Sequence, residues 1–260
     1  MMTPQKRLTA KVLSAPIDIL TWETALDRIE AWAAQRHSRY VCICNAHSVV
    51  TAQQDEEFGQ VIAGADMATP DGAPVAHMLR RVGFPDQQRI NGPDLMWRYC
   101  ERAAQTGSSV YLYGGTAETL AILQQKLLAT FPRLRIAGAY APPFRPATED
   151  EDAADVARIN ASGANTVWVS LGCPKQELWM AAHRGRVRAV MIGVGAAFDY
   201  HAGTLKRAPI WMQRRGLEWF YRLCTEPRRL WRRYLFTNSA FLLGAVKQLA
   251  ALNTARRSPK

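Results

Sequence analysis

The sequence predicts an α/β protein, a mainly parallel sheet with helices on both faces, followed by a C-terminal helical appendage of different character. Three observations lead there. Short β-branched or apolar runs alternate with amphipathic stretches along residues 1–205, which is the strand, helix, strand rhythm of a parallel sheet. Several of these runs end in glycine, as buried strands feeding tight turns do. After Gly203 the β-rich runs stop and arginine and aromatic residues take over. With 260 residues and 48% hydrophobic content, the chain is long enough to bury a sizeable core.

In chain order, the runs "YVCIC" (40–44), "ADMAT" (65–69), "SVYLYGG" (109–115), "RLRIAGAY" (133–140), "NTVWVSLG" (165–172) and "RAVMIGVG" (188–195) read as strands. Helices are expected at 46–64, 93–106, 117–130, 149–161 and 174–184, where apolar residues recur at helical spacing. From residue 206 to 260 the pattern predicts two or three helices, broken near Gly216 and Pro227. The division is therefore an α/β body at 1–205 and a basic, aromatic helical appendage at 206–260.

Charge supports the same boundary. Residues 1–205 hold 20 Lys/Arg and 20 Asp/Glu, whereas residues 206–260 hold 13 Lys/Arg against Glu218 and Glu226, so the net +11 lies wholly in the appendage. A localised basic block implies an anionic partner: nucleic acid, an anionic membrane or an acidic protein. The stretch "EWFYRLCTEPRRLWRRYLF" (218–236) interleaves five arginines with aromatic and leucine side chains, the composition of an interfacial helix on anionic lipid. Composition alone leaves open a helical hairpin that packs on the body and solvates its arginines. Trp219, Phe220 and Leu223 are expected on one face, and Leu230, Trp231, Tyr234 and Leu235 on another. The longest uncharged apolar stretch there, Tyr234 to Val246, is 13 residues, short of the roughly 20 that span a bilayer. No apolar secretory segment opens the sequence, and five cysteines without zinc spacing read as free thiols. The expectation is a cytoplasmic protein that at most lies on a membrane.

Candidate chemistry sits in the turns that follow strands, where open α/β sheets place their ligand crevices. "SVYLYGGTAETL" runs a strand into Gly114 and Gly115 and then a helix, an arrangement that lets a diphosphate approach backbone N–H groups; a plain tight turn fits as well. "ATPDGAP" places Asp71 after a strand, as a turn residue or a general base. "RINGPDL" offers Arg89, Asn91 and Asp94; "LGCPKQELW" offers Lys175 and Gln176; "GVGAAFDYHAG" offers Asp199 and His201. "EDEDAAD" contains Asp150-x-Asp152, a spacing that can hold a divalent metal, but an acidic first helical turn explains it better. No metal site and no cofactor is expected. Hydrolytic triads and zinc chemistry are disfavoured, because there is no nucleophile elbow and the histidines do not cluster.

Together, "CNAHSVV", "TPDGAP", "RINGPDL", "YLYGG", "LGCPKQELW", "GVGAAFDYHAG" and "RAPIWMQRRGLEWFYRLCTEPRRLWRRY", in this order, resemble the WecG/TagA/CpsF family of bacterial glycosyltransferases from about residue 12 to about residue 245. The resemblance implies a Rossmann-like fold whose C-terminal appendage associates with the membrane. It also implies inverting, metal-independent transfer of a sugar from a UDP donor to a polyprenyl-diphosphate-linked sugar. Family donors include UDP-N-acetylmannosamine, its uronic acid and UDP-glucose. Implied site residues are Asp71 as general base, Arg89, Gln176 and Asp199 at the substrates, and Arg222, Arg229 and Arg232 in the appendage at diphosphate or membrane; the turns add Asn45, Asn91, Gly114, Gly115 and Lys175 as substrate-binding candidates. The implied location is the cytoplasmic face of the inner membrane, with homo-oligomer formation left open. One position departs from the pattern: many members carry threonine where this sequence has Ile43, two residues before Asn45. Two other readings remain at this level, a nucleic-acid-binding α/β protein with a basic tail and an inactive scaffold of the same fold. The neutral body, which lacks RNA-binding motifs, speaks against the first, so no nucleic-acid partner is expected.

Overall fold

The computed structural model describes residues 7–257, with side chains to residue 255. Six strands form one parallel sheet: β3 (Arg39–Cys44), β4 (Met67–Pro70), β5 (Ser109–Gly114), β6 (Arg135–Tyr140), β7 (Thr166–Ser170) and β8 (Val190–Gly193), in spatial order β4-β3-β8-β7-β5-β6. Every strand anticipated from the sequence is present. From β3 the chain steps outward to β4 on one side, and from β5 it steps outward to β6 on the other. The carboxyl ends of all six strands therefore share one edge, and the connections leaving that edge diverge.

Alternation along the strands builds the two core layers. Tyr40, Cys42, Cys44, Tyr111, Tyr113, Val167 and Val169 face one side; Val41, Ile43, Val110, Leu112, Trp168 and Ile192 face the other. Successive side chains of a strand point to opposite faces, so a sheet covered on both must be apolar at nearly every position. One layer is covered by α1 (Trp22–Ala34), α5 (Gly92–Thr106), α6 (Ala117–Thr130) and α9 (Ala197–Ala202). The opposite layer is covered by α2 (Ala46–Gln54), α3 (Glu56–Gly64), α4 (Ala73–Val82), α7 (Glu149–Ala161) and α8 (Lys175–Ala182).

The helices α1, α4 and α9 lie where no helix was expected, and two further features differ from the sequence expectation. The helix expected over 46–64 is two helices, because Asp55 leaves helical geometry at φ −121°, ψ 112° and its carboxylate caps α3 through the Phe58 N–H. An antiparallel hairpin, β1 (Thr9–Val12) with β2 (Ala15–Asp18), precedes the sheet. Its buried Asp18 carboxylate accepts from Ala68 N–H at 2.7 Å and pairs with Arg7 at 2.6 Å, which ties the hairpin to edge strand β4.

The appendage is three helices, α10 (Ile210–Arg214), α11 (Glu218–Thr225) and α12 (Pro227–Arg257), broken where Gly216 and Pro227 predicted. The helix α12 packs on α2 and α4. Its Phe241 and Ala245 join the main core, and Gln248 accepts from Leu13 N–H and donates to Lys11 O at the hairpin. Its other face is apolar and open, with Trp231, Leu235, Phe236, Leu242, Leu243 and Val246 all exposed. The face expected to group Leu230 with Trp231 and Leu235 is thus split, since Leu230 is buried against the body. The residues Pro227–Ala255 make a helix long and apolar enough, by length and composition, to cross a bilayer. The 13-residue limit read from the sequence therefore understated the apolar length, which continues past the single charge of Lys247. All five cysteines are free, as expected.

Candidate active site

Asp71 lies one residue beyond β4, and its N–H donates to Cys44 O at the end of β3. Ile90 N–H donates to Pro70 O, which brings the 83–91 loop against the same strand end. That register places Arg89 directly on Asp71: Nε donates to the Asp71 carbonyl at 2.5 Å, and Nη2 lies 3.4 Å from Oδ1. The Asp71 side chain is 19% exposed. Burial pushes its carboxyl above the usual carboxylate range by more than the Arg89 charge pulls it down, and Glu218 adds to the rise.

The neighbouring strand ends complete one continuous rim. Asn45 follows β3 and caps α2, accepting from His47 and Ser48 N–H; a Cβ on Gly72 would lie 3.5 Å from its Cα. Asn91 caps α5 through Asp94 N–H and donates to the Asp94 carboxylate at 2.7 Å. Gly92 sits so close to Val194 that a Cβ would meet its carbonyl at 3.2 Å, so this loop touches the end of β8. Gln176, buried at the start of α8, accepts from Gly195 N–H at 3.0 Å, and Ser170 Oγ donates to Gly195 O at 2.8 Å. Gly115 N–H donates to Ser170 O. Gly114 has φ +112°, and a Cβ there would lie 2.4 Å from Ser170 O, so backbone conformation and packing both require glycine.

The appendage closes over one end of this rim. Arg207, ahead of α10, donates to Asp94 Oδ1 at 2.5 Å and to Asn91 Oδ1 at 3.2 Å. Glu218 Oε2 accepts from Arg89 Nη2 at 2.6 Å. Arg222 is half-buried near Tyr200 and Tyr234; burial pulls its guanidinium down, but those hydroxyls with Glu226 and Glu218 hold it above its ordinary value. Arg207 and Arg222 each bury an Nε without a hydrogen-bond partner. Thr237 Oγ1 of α12 lies 3.4 Å from His47 Nδ1, and burial with the Arg233 charge lowers that imidazole to about 4.

The sequence-derived residues are not all equivalent in this geometry. Asp71 and Arg89 touch, and Asn45, Asn91, Gly114, Gly115 and Gln176 share their rim. Lys175 is exposed at the α8 terminus. Asp199 accepts from Thr204 Oγ1 at 3.2 Å, while His201 Nε2 bonds Pro93 O and its ring stacks on Trp97 at 4.8 Å. Of the three appendage arginines, only Arg222 turns inward; Arg229 is 62% exposed and paired with Glu226, and Arg232 lies over the Trp231 ring. Arg207 and Glu218 were missed by sequence reasoning, although both lie inside the long C-terminal motif. Ile43 is buried in the apolar layer opposite Thr69, whose hydroxyl bonds Ile90 O.

Among the described residues no group of His, Cys, Asp and Glu is arranged to hold a metal. Asp152 is engaged by His183 at 2.8 Å and Arg186 at 2.6 Å, and Asp150 is exposed on the first turn of α7. An open cavity of about 550 Å³ beside Asp152, Trp179 and Arg186 shares no residue with the Asp71 cluster. Ion pairs that tie α7 to the 183–189 turn line it. A family model described as the glycosyl transferase WecG/TagA/CpsF family matches residues 10–255. With nearly the whole chain matched and the motif residues gathered on one edge of a Rossmann-like sheet, the protein belongs to the WecG/TagA/CpsF glycosyltransferase family.

Proposed function

We propose that this glycosyltransferase of polysaccharide biosynthesis moves a sugar, with inversion and without a metal, from a UDP donor to a sugar carried on a polyprenyl diphosphate. The observation that carries the reading is Asp71: a carboxylate at a strand's carboxyl end, raised by burial, beside cationic groups that are not fully partnered. Its carboxylate takes the proton of the acceptor hydroxyl as that oxygen bonds the anomeric carbon. The bond from that carbon to the UDP oxygen breaks on the opposite face, which inverts the centre. The departing diphosphate gains negative charge, and guanidinium groups supply the compensation a metal supplies elsewhere. Arg89, Arg207 and Arg222 are the half-buried candidates for that role. Asn45, Asn91, Gln176 and the Gly114–Gly115 turn then line the donor and acceptor, with Lys175 and Asp199 at the margins.

The appendage suits a lipid-linked acceptor. Among the described residues, ten of the thirteen exposed large hydrophobic side chains belong to residues 210–246. Arg228, Arg229, Arg232 and Arg233 stand exposed beside them, so apolar insertion and attraction to anionic lipid act on one surface. Although α12 is long enough to span, its contacts with α2 and the hairpin favour a helix lying on the cytoplasmic leaflet. Arg229 and Arg232 accordingly fit the lipid face, and Arg222 fits the substrate diphosphate.

The test is mass spectrometry of products from UDP-sugars and short prenyl-diphosphate-linked acceptors, with Asp71→Asn alongside. Wild-type protein should add one sugar, and the variant should lose about 10²-fold or more of the rate while keeping UDP affinity. Since Asp71 is raised, the acid limb of kcat/KM should lie above the ordinary carboxylate value of about 4. A variant with near-normal turnover would remove Asp71 from the chemistry.

A further inference from the structure

One side chain of the appendage reaches the candidate base. Glu218, in the first turn of α11, is 16% exposed. Its Oε2 holds Arg89 Nη2 at 2.6 Å across 129 residues of sequence, and its Oε1 lies 3.6 Å from Arg207 Nε. The same Arg89 nitrogen is 3.4 Å from Asp71 Oδ1, while Arg89 Nε is fixed to the Asp71 carbonyl at 2.5 Å. The guanidinium is therefore anchored on the backbone of Asp71 but drawn, at its far end, to a different carboxylate.

We propose that Glu218 is a positioning residue for the general base, holding the Arg89 guanidinium off the Asp71 carboxylate so that its oxygens stay open to the acceptor hydroxyl. The inference rests on the assignment of Asp71 as base. Two carboxylates share one donor nitrogen, and only the Glu218 contact has the length of a strong charge-assisted bond. Without it, the guanidinium is already oriented to close on Asp71, which would occupy the carboxylate and make it a weaker base. No other nearby acid replaces Glu218, because Asp94 is taken by Arg207 at 2.5 Å and by Asn91 at 2.7 Å. The remaining charged or titratable groups facing the pair are Arg207, Arg222, Tyr200, Tyr234 and the buried Cys44 thiol. None of them can draw a guanidinium away at neutral pH. The helix α11 buries none of its residues fully, and the Glu218 ion pairs join it to Arg89 and Arg207.

The experiment compares full-length wild type, Glu218→Gln, Glu218→Asp and Asp71→Asn for transfer across pH, donor KM and thermal midpoint. The Asp71 carboxyl carbon is also followed by NMR through a pH titration. Glu218→Gln should lower kcat about 10-fold with donor KM within about 2-fold. The acid limb of kcat/KM and the Asp71 titration should both move to lower pH, because Arg89 then pairs with Asp71 alone. Glu218→Asp, which keeps the charge on a shorter stem, should restore the limb in part. Wild-type kcat in Glu218→Gln would overturn the proposal, as would a lost rate with limb and titration unmoved. Loss of transfer in Asp71→Asn with an indifferent Glu218→Gln would sink this inference alone. Wild-type turnover in Asp71→Asn would remove the base assignment and this inference together.

Discussion

The open face of α12 makes a quantitative prediction about membranes. Phe236 and Leu243 are seven residues apart, two helical turns, and therefore share a face; they are 71% and 64% exposed. Burying a whole Phe or Leu side chain contributes about 1.5–3 kcal/mol, so the exposed fractions correspond to about 1–2 kcal/mol each when seated in lipid. Replacing both by serine should remove about 2–4 kcal/mol of membrane affinity, a loss of about 30-fold to several hundred-fold. Partial immersion at an interface favours the lower end. Since neither side chain packs on the body, thermal stability should change only by helix propensity, about 0.5 kcal/mol or less per site. Cosedimentation with vesicles rich in anionic phospholipid reads the first quantity and a thermal melt reads the second. Phe241→Ser is the control: this buried neighbour should cost about 3 kcal/mol of stability and leave the open apolar face intact. Wild-type vesicle affinity in Phe236→Ser with Leu243→Ser would refute the reasoning. So would a drop of several degrees in its midpoint, which would mean that the face packs on protein.

Two further outcomes are expected beyond those given for Asp71 and Glu218. Gly114→Ala forces a Cβ to 2.4 Å from Ser170 O at φ +112°, which should cost about 2–4 kcal/mol and lower the urea midpoint; an unchanged midpoint would show that the turn relaxes freely. Transfer activity should persist in EDTA if guanidinium groups carry the leaving-group charge as proposed, and its loss with recovery on added Mg²⁺ or Mn²⁺ would return attention to Asp150 and Asp152.

Much of this architecture is local and therefore legible. Parallel strands buried on both faces must be short apolar runs, as residues 109–114 and 166–170 are, and the turns that follow them need glycine or a capping residue. Gly216 and Pro227 placed the breaks between the C-terminal helices. The hairpin at 9–18 was not legible. Its turn uses Leu13 at φ 54° in place of a glycine, and its four-residue strands are too short to show alternation. The break at Asp55 was missed because the apolar spacing runs through it, although an aspartate there is a familiar helix cap.

The sequence by itself determined the sheet, the family and the loops that carry Asp71, Arg89, Asn91 and Gln176, because strand ends deliver their turns to one edge whatever the details of packing. Only the tertiary structure decided that Arg222 turns inward while Arg229 and Arg232 face outward, and that α12 buries Leu230, Phe241 and Ala245 yet leaves a second apolar face open. It alone brought Glu218 to Arg89 and Thr237 to His47. Ion pairs and hydrogen bonds depend on distance in space, and contacts between residues more than a hundred positions apart leave no period or spacing in the chain from which to read them.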